Sequence, residues 1–187
     1  MSRIPAAVLG ATGAVGQRFV QLLADHPWFE VTAVAASERS AGQLYAEACK
    51  WVIGGDPPPV VAGLPVLPLE PGLPARVVFS ALPAGVAQEV EPAFARAGYA
   101  VCSNAAAYRQ APDIPLLIPE INAGHLSVID AQKRRLGTRR GFIVVKPNCS
   151  IQSYVPALHP LREFGIEKVF VCTYQAISGA GKTFKDW

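Results

Sequence analysis

The sequence predicts an α/β fold in which a mostly parallel sheet carries helices on both faces, followed by the start of a second, α+β domain. Three observations predict it. Apolar runs too short for helices alternate with stretches of helical spacing. Those runs are apolar at successive positions, as strands buried on both faces of a parallel sheet must be. A glycine-rich turn joins the first run to the first helical stretch.

Residues 6–9 are apolar and end at that turn, so they read as the first strand. Helical spacing follows, with Val15, Phe19, Leu22 and Leu23 expected on one face. Pro27 stops this helix, and residues 29–35 alternate larger and smaller apolar side chains as a second buried strand. Residues 54–74 are dense in proline, which cannot donate to a sheet ladder, so an irregular excursion with at most an edge strand is expected. Residues 77–80 resume the strand pattern, 85–97 are helical and 100–103 form another strand. A helix over 125–136 with Asn122 as its cap, a strand at 142–145, a helix over 150–164 and a strand at 169–175 complete the alternation.

The 187 residues, 51% of them hydrophobic, correspond to one domain and part of another at roughly 150 residues per domain. We place the boundary after residue 146, with residues 1–146 as a nucleotide-binding unit and 147–187 as the start of a catalytic domain. A chain of this length buries about 70% of its unfolded surface, so collagen-like, disordered and small disulfide-stapled classes are excluded. The net charge of +3 is spread along the chain except at Lys133, Arg134, Arg135, Arg139 and Arg140. That cluster reads as a solvated helix end rather than a nucleic-acid surface. No apolar run reaches the ~18 residues a spanning helix needs, and the N-terminal apolar stretch passes through Gly10, Thr12 and Gly13, so neither a membrane segment nor a secretory signal is expected. Cys49, Cys102, Cys149 and Cys172 form no C-x-x-C pair and the histidines offer no zinc spacing, which suits a reducing cytoplasm.

The turn Gly10-Ala11-Thr12-Gly13-Ala14-Val15-Gly16 has G-x-x-G-x-x-G spacing between the first strand and the first helix. One glycine permits a tight turn, another lets backbone N–H groups approach a pyrophosphate, and a third lets helix and strand pack closely. The fold expected is therefore Rossmann-type, although the same spacing also serves a strand-to-helix turn without a ligand. After the second strand, Ser37, Arg39 and Ser40 offer the cation and hydroxyl donors that a ribose 2′-phosphate requires, which favours NADP. Glu38 keeps NAD as the alternative.

Lys146-Pro147-Asn148-Cys149-Ser150 stands between a strand and a helix pattern. Pro147 disfavours helical geometry at Lys146, and Asn148 can cap the following helix. Cys149 then falls at a helix N-terminus, where free N–H groups and the helix dipole favour a thiolate. Cys102 and Cys172 lie in apolar strand patterns and are expected to be small core residues; Cys49, beside Lys50 and Trp51, lacks the helix-end setting. A thiolate beside a nicotinamide-type loop suggests attack on an activated carbonyl and reduction of the resulting thioester to an aldehyde.

These segments, with Ser80-Ala-Leu-Pro83, Ser103-Asn-Ala-Ala-Ala-Tyr-Arg109, Pro119-Glu-Ile-Asn122 and Gln175-Ala-Ile-Ser-Gly-Ala-Gly181, resemble in their order the aspartate-semialdehyde dehydrogenases of the archaeal and fungal type. The resemblance implies NADPH-dependent reductive dephosphorylation of L-aspartyl 4-phosphate, in the biosynthesis of lysine, methionine and threonine, by a cytoplasmic homodimer or homotetramer. It implies Cys149 as the acyl-thioester nucleophile, Asn148 as orienting the substrate carbonyl, Gln175 as orienting substrate or intermediate and Arg109 as holding the substrate phosphate. It places Gly10, Thr12, Gly13, Ala14, Val15 and Gly16 against the cofactor pyrophosphate and Ser37, Arg39 and Ser40 around its 2′-phosphate. Ser80, Leu82, Pro83, Ser178 and Gly179 would line the nicotinamide end.

The family continues well beyond the Ser-Gly-Ala-Gly segment and there carries its histidine general acid/base. Residues 182–187 do not resemble that continuation, and His26, His125 and His159 match no family catalytic position, so this chain by itself is expected to be impaired. Malonyl-CoA reductase of the same superfamily remains an alternative. N-acetyl-glutamyl-phosphate reductase is another, although it carries Pro-Gly-Cys where this chain has Pro-Asn-Cys. A non-catalytic nucleotide-binding module is the alternative from a different class.

Overall fold

The computed structural model describes residues 2–175. A six-stranded parallel sheet runs in the order β3-β2-β1-β4-β5-β6, the doubly wound order in which the chain reverses direction between β1 and β4. β1 (Ile4–Leu9), β2 (Phe29–Ala35), β4 (Val77–Ser80), β5 (Ala100–Ser103) and β6 (Phe142–Val145) match the strands read from the sequence, with β1 two residues longer. β3 (Val66–Leu67) is the edge strand within the proline-rich excursion.

Helices lie on both faces, but unevenly. α1 (Ala14–Leu23) and the short α2 (Tyr45–Ala48) and α3 (Pro59–Ala62) cover one face beside β1–β3. There Val8, Val20, Leu23, Val34, Tyr45, Val61 and Val66 form one core cluster. α4 (Ala84–Arg96) and α6 (Ile129–Leu136) cover the other, where Leu9, Val78, Phe94, Val101, Ile143 and Val145 form the second. Strand alternation divides the two cores, so Ala7 and Leu9 face one and Val8 the other. β4, β5 and β6 bury only alternate residues, leaving Phe79, Cys102 and Val144 half-covered on the α1 side.

Several expectations are corrected. α1 buries Gly16, Gln17, Val20 and Leu23, whereas Val15 and Leu22 are exposed, because Gly16 must sit against the glycine loop and this sets the helix's rotation. The helix expected over 125–136 is a 3₁₀ stretch Ala123–Val128 followed by α6, and a separate short helix, α5 (Pro119–Asn122), precedes it. Asn122 does not cap it: its Oδ1 accepts from the Ile118 N–H at 2.8 Å and its Nδ2 donates to Leu116 O at 2.8 Å, fastening the preceding chain instead. The helix over 150–164 is α7 (Cys149–Leu158) followed by a 3₁₀ turn His159–Phe164 containing Pro160, whose ring removes an N–H donor.

Residues 169–175 form no strand. A strand exists only through pairing, and none of the six strands runs beside them; Phe170 is 93% exposed. Cys172 is consequently exposed rather than a core residue. No helix among the described residues is long and apolar enough to cross a membrane. Lys133, Arg134 and Arg135 occupy the last turn of α6, where cations complement the helix dipole, and Arg135 pairs with Asp113.

Candidate active site

The strand register brings the site together. Leu9 pairs with Ala35 and with Ser80, Ser80 with Ser103, and Ser103 with Val145. The turns after β1, β2, β4, β5 and β6 therefore leave the sheet side by side at its carboxyl edge, where ligands of open α/β sheets bind. A larger concavity of about 810 Å³, lined by Ile4, Arg76, Lys133, Arg139, Arg140 and Phe142 among others, opens at the opposite edge and contains no cysteine or histidine.

Gly10 has φ +72°, and a Cβ there would lie 2.9 Å from Ala81 O, so only glycine lets the β1 turn pass against the β4 turn. A Cβ on Gly16 would lie 2.1 Å from Gly10 O, so the third glycine lets α1 rest directly on the loop. Gly13 is the N-cap and no side chain caps the helix. The Ala14 and Val15 N–H groups therefore lack an intrahelical acceptor and suit a pyrophosphate. These two features, an uncapped helix start and a cradle free of side chains, fit a dinucleotide.

Two buried side chains that the sequence reading passed over hold this loop. Tyr45 Oη donates to Ala11 O at 2.9 Å. Gln17 Nε2 donates to Thr12 O and Lys50 O, both at 3.0 Å, while its Oε1 accepts from the Val52 N–H at 2.8 Å. Helical spacing places Gln17 beside Gly13 and Val20, so a polar residue on the buried face was the available signal.

Beyond β2, Ser37 and Arg39 line a cavity of about 450 Å³ with Glu38, Pro68, Leu69 and Glu70. Ser40 is not among its walls; its N–H donates to Ser37 O at 2.9 Å and closes the turn. In the β4 turn, Ser80 and Leu82 are buried and only Pro83 is exposed, so backbone groups are what this turn can present to a cofactor. Ser178 and Gly179 fall outside the described residues.

The turn at Asn148 and Cys149 has the local geometry that the sequence predicts. Asn148 is the N-cap of α7, its Oδ1 accepting from the Ile151 N–H at 2.8 Å. Cys149 is the first helical residue and exposed. Its Sγ lies 3.9 Å from Gln175 Oε1, whose Nε2 donates to Ser150 Oγ at 2.7 Å and Thr173 Oγ1 at 3.1 Å. Cys149, Ser150, Ser153, Cys172, Thr173, Tyr174 and Gln175 surround a cavity of about 330 Å³ that no histidine lines.

Arg109 reaches this turn from the other side. Its Nε donates to Lys146 O at 3.1 Å and its Nη2 to Asn104 O at 3.0 Å, bridging the ends of β5 and β6. The Lys146 side chain is not singled out by the sequence. Burial and the neighbouring Arg109 charge lower its ammonium from the ordinary lysine value, while Cys149 pulls it upward. The Lys146 Nζ donates to Pro147 O at 3.0 Å and to Gln152 Oε1 at 3.3 Å, so a lysine and, through its carbonyl, an arginine are held just before the candidate nucleophile, a setting for an anionic leaving group.

The sheet order and the glycine cradle define a dinucleotide-binding domain of the Rossmann type. Residues 5–129 match the family described as semialdehyde dehydrogenase, NAD binding domain, and the chain belongs to that family. It is 49% identical over 180 residues to the aspartate-semialdehyde dehydrogenase of Archaeoglobus fulgidus, covering 96% of this chain and 52% of that protein. A crystal structure of aspartate-semialdehyde dehydrogenase with NADP from Candida albicans superimposes with a TM-score of 0.78 at 42% identity, over 87% of this chain and 48% of the other. The malonyl-CoA reductase (NADP) of Metallosphaera sedula is 40% identical over 181 residues, covering 95% of this chain and 50% of that enzyme. The chain thus spans about half the length of the curated relatives it matches.

Proposed function

We propose that this chain supplies the cofactor site and the nucleophile of an NADP-dependent aspartate-semialdehyde dehydrogenase acting on L-aspartyl 4-phosphate. The observation that carries the proposal is Cys149 at an Asn148-capped helix start, with Gln175 at its Sγ and Lys146, whose carbonyl Arg109 holds, just before the cap. Cys149 attacks the acyl carbon, the C–O bond to phosphate breaks, and a thioester forms. The free Cys149 and Ser150 N–H groups at the start of α7 are donors for the oxyanion that develops. Arg109, assisted by the Lys146 charge, holds the departing phosphate. Asn148 and Gln175 orient the carbonyl. NADPH, when bound, supplies the hydride that the thioester requires. Gly10, Thr12, Gly13, Ala14, Val15 and Gly16 would hold its pyrophosphate, Ser37, Arg39 and Ser40 its 2′-phosphate, and Leu82 and Pro83 would flank its nicotinamide through the β4 turn.

We place the boundary of the cofactor domain after residue 146. The absence of any buried side chain in α7, against the continuous cores of the preceding elements, supports this. The exposed Phe164, Phe170 and Tyr174 support further association of this region in a cytoplasmic homodimer or homotetramer.

The test uses a form extending over the full length of the relatives. Phosphate-dependent reduction of NADP with aspartate semialdehyde, abolished by Cys149→Ala, is the expected result. Greater turnover with malonyl-CoA, or activity retained after Cys149→Ala, would overturn it.

A further inference from the structure

Glu91, on α4, is the fully buried ionisable residue among the described polar core residues, with 0% exposure. Its Oε1 accepts from Ser103 Oγ at 2.7 Å, and Ser103 Oγ accepts in turn from the Ala105 N–H at 3.1 Å. Glu91 Oε2 and Ser80 Oγ are buried with no hydrogen-bond partner. Burial pushes the Glu91 carboxyl up, and the Ser80 and Ser103 hydroxyls offset only part of the rise.

Ser80 and Ser103 are the last residues of β4 and β5 and are register partners. The turn after Ser103 leads through Asn104 and Ala105 to Arg109, which bonds back to Asn104 O. An apolar side chain would fill this position in α4 without the cost of burying a carboxyl. What the carboxyl adds is a link to the end of β5, which leads into the site.

We propose that Glu91 is a positioning residue: through Ser103 it fastens the end of β5, and so holds the 104–109 turn and Arg109 in place for a phosphate group. The proposal rests on the reading of Arg109 as the phosphate ligand. Glu91 touches no substrate and acts entirely through the turn.

The test compares wild type, Glu91→Ala, Glu91→Gln and Ser103→Ala in the full-length enzyme, with inorganic phosphate as the varied substrate and amide exchange at Ala105 as a second readout. Glu91→Ala should raise KM for phosphate about tenfold, the scale expected when a positioned ligand loosens, with a smaller change in kcat. Exchange at Ala105 should quicken about tenfold while Val101, inside β5, stays unchanged. Glu91→Gln, whose amide oxygen can still accept from Ser103, should keep both values within about twofold of wild type. Ser103→Ala should reproduce the Glu91→Ala pattern, and decides the matter if Glu91→Ala does not fold. A folded Glu91→Ala or Ser103→Ala enzyme with wild-type KM for phosphate would overturn the proposal. So would losses confined to kcat and folded fraction, or a Glu91→Gln enzyme as impaired as Glu91→Ala. If the wild type shows no phosphate-dependent turnover, the dehydrogenase reading falls and the Arg109 part of the proposal with it, while exchange at Ala105 still decides the fastening of β5.

Discussion

Helix propensity alone says that Gly16→Ala should stabilise α1 by about 1 kcal/mol. The structure reverses the sign. The new Cβ would stand 2.1 Å from Gly10 O, 2.7 Å from Ala11 Cα and 2.8 Å from Gly10 C, all backbone atoms. Relief requires the loop or the helix to move by roughly 1 Å, against the overpacking cost of about 1–3 kcal/mol typical of close-packed interiors. The loop is not free to move. Gly10 and Ala11 N–H groups donate to Ala35 O at 2.8 and 3.1 Å, and Tyr45 and Gln17 grip Ala11 and Thr12. Breaking one or two of these bonds adds about 1 kcal/mol each. Allowing for the propensity gain, the net loss is about 3 kcal/mol, or a fall in Tm of about 6–12 °C for a chain of this size.

Gly13→Ala is the control: its Cβ would meet only Gly10 O, at 3.3 Å, and its φ is −78°. We expect its Tm to stay within about 2 °C of wild type. Thermal melting followed by circular dichroism, with isothermal titration of NADPH, separates the two. Gly16→Ala should lose both stability and cofactor affinity, while Gly13→Ala should lose affinity alone. A Gly16→Ala protein that melts at or above wild type and binds NADPH equally well would refute the reasoning.

Asn148→Ala should cost about 1 kcal/mol of helix stability; because α7 buries no side chain, the loss should appear as roughly fivefold faster amide exchange at Ile151 rather than a lower Tm, and Asn148→Asp should retain the slow exchange. Arg39→Ala should shift the ratio of catalytic efficiencies from NADPH towards NADH by about tenfold or more, and an unchanged ratio would remove Arg39 from the 2′-phosphate site. Glu91 is raised above its ordinary 4.5, so its folded-state stabilisation is full below that pH and is lost as pH rises through the raised value. Melting curves across about pH 4 to 8 should therefore fall for wild type relative to Glu91→Gln, with Tyr108 the other titratable side chain that feels this carboxyl; parallel curves would contradict it. Iodoacetamide should label Cys149 and Cys172 well before Cys102, whose apolar surroundings push its thiol up to about 11. Phosphate should protect Cys149 if Arg109 and Lys146 hold the anion beside it.

Local chemistry made much of this molecule legible. β2, β4, β5 and β6 follow from apolar runs of strand length bounded by turn residues, and the glycine spacing and the Pro147-Asn148-Cys149 turn follow from backbone rules that act over a few residues. Residues 169–175 show the limit: their pattern suits a strand, but a strand requires a neighbour to share its hydrogen bonds, and no local property supplies one. Val15 shows another, since an apolar residue at helical spacing turned outward once Gly16 had to meet Gly10. The sequence by itself therefore determined the order of the main strands, the glycine loop between β1 and α1, and the Asn148-capped helix start at Cys149. Only the tertiary structure decided that Arg109 bonds to Lys146 O, that Gln17 and Tyr45 tie the glycine loop to residues 45–52, and that Glu91 fastens the end of β5, because each contact spans residues brought together by strand register and helix packing rather than by proximity along the chain.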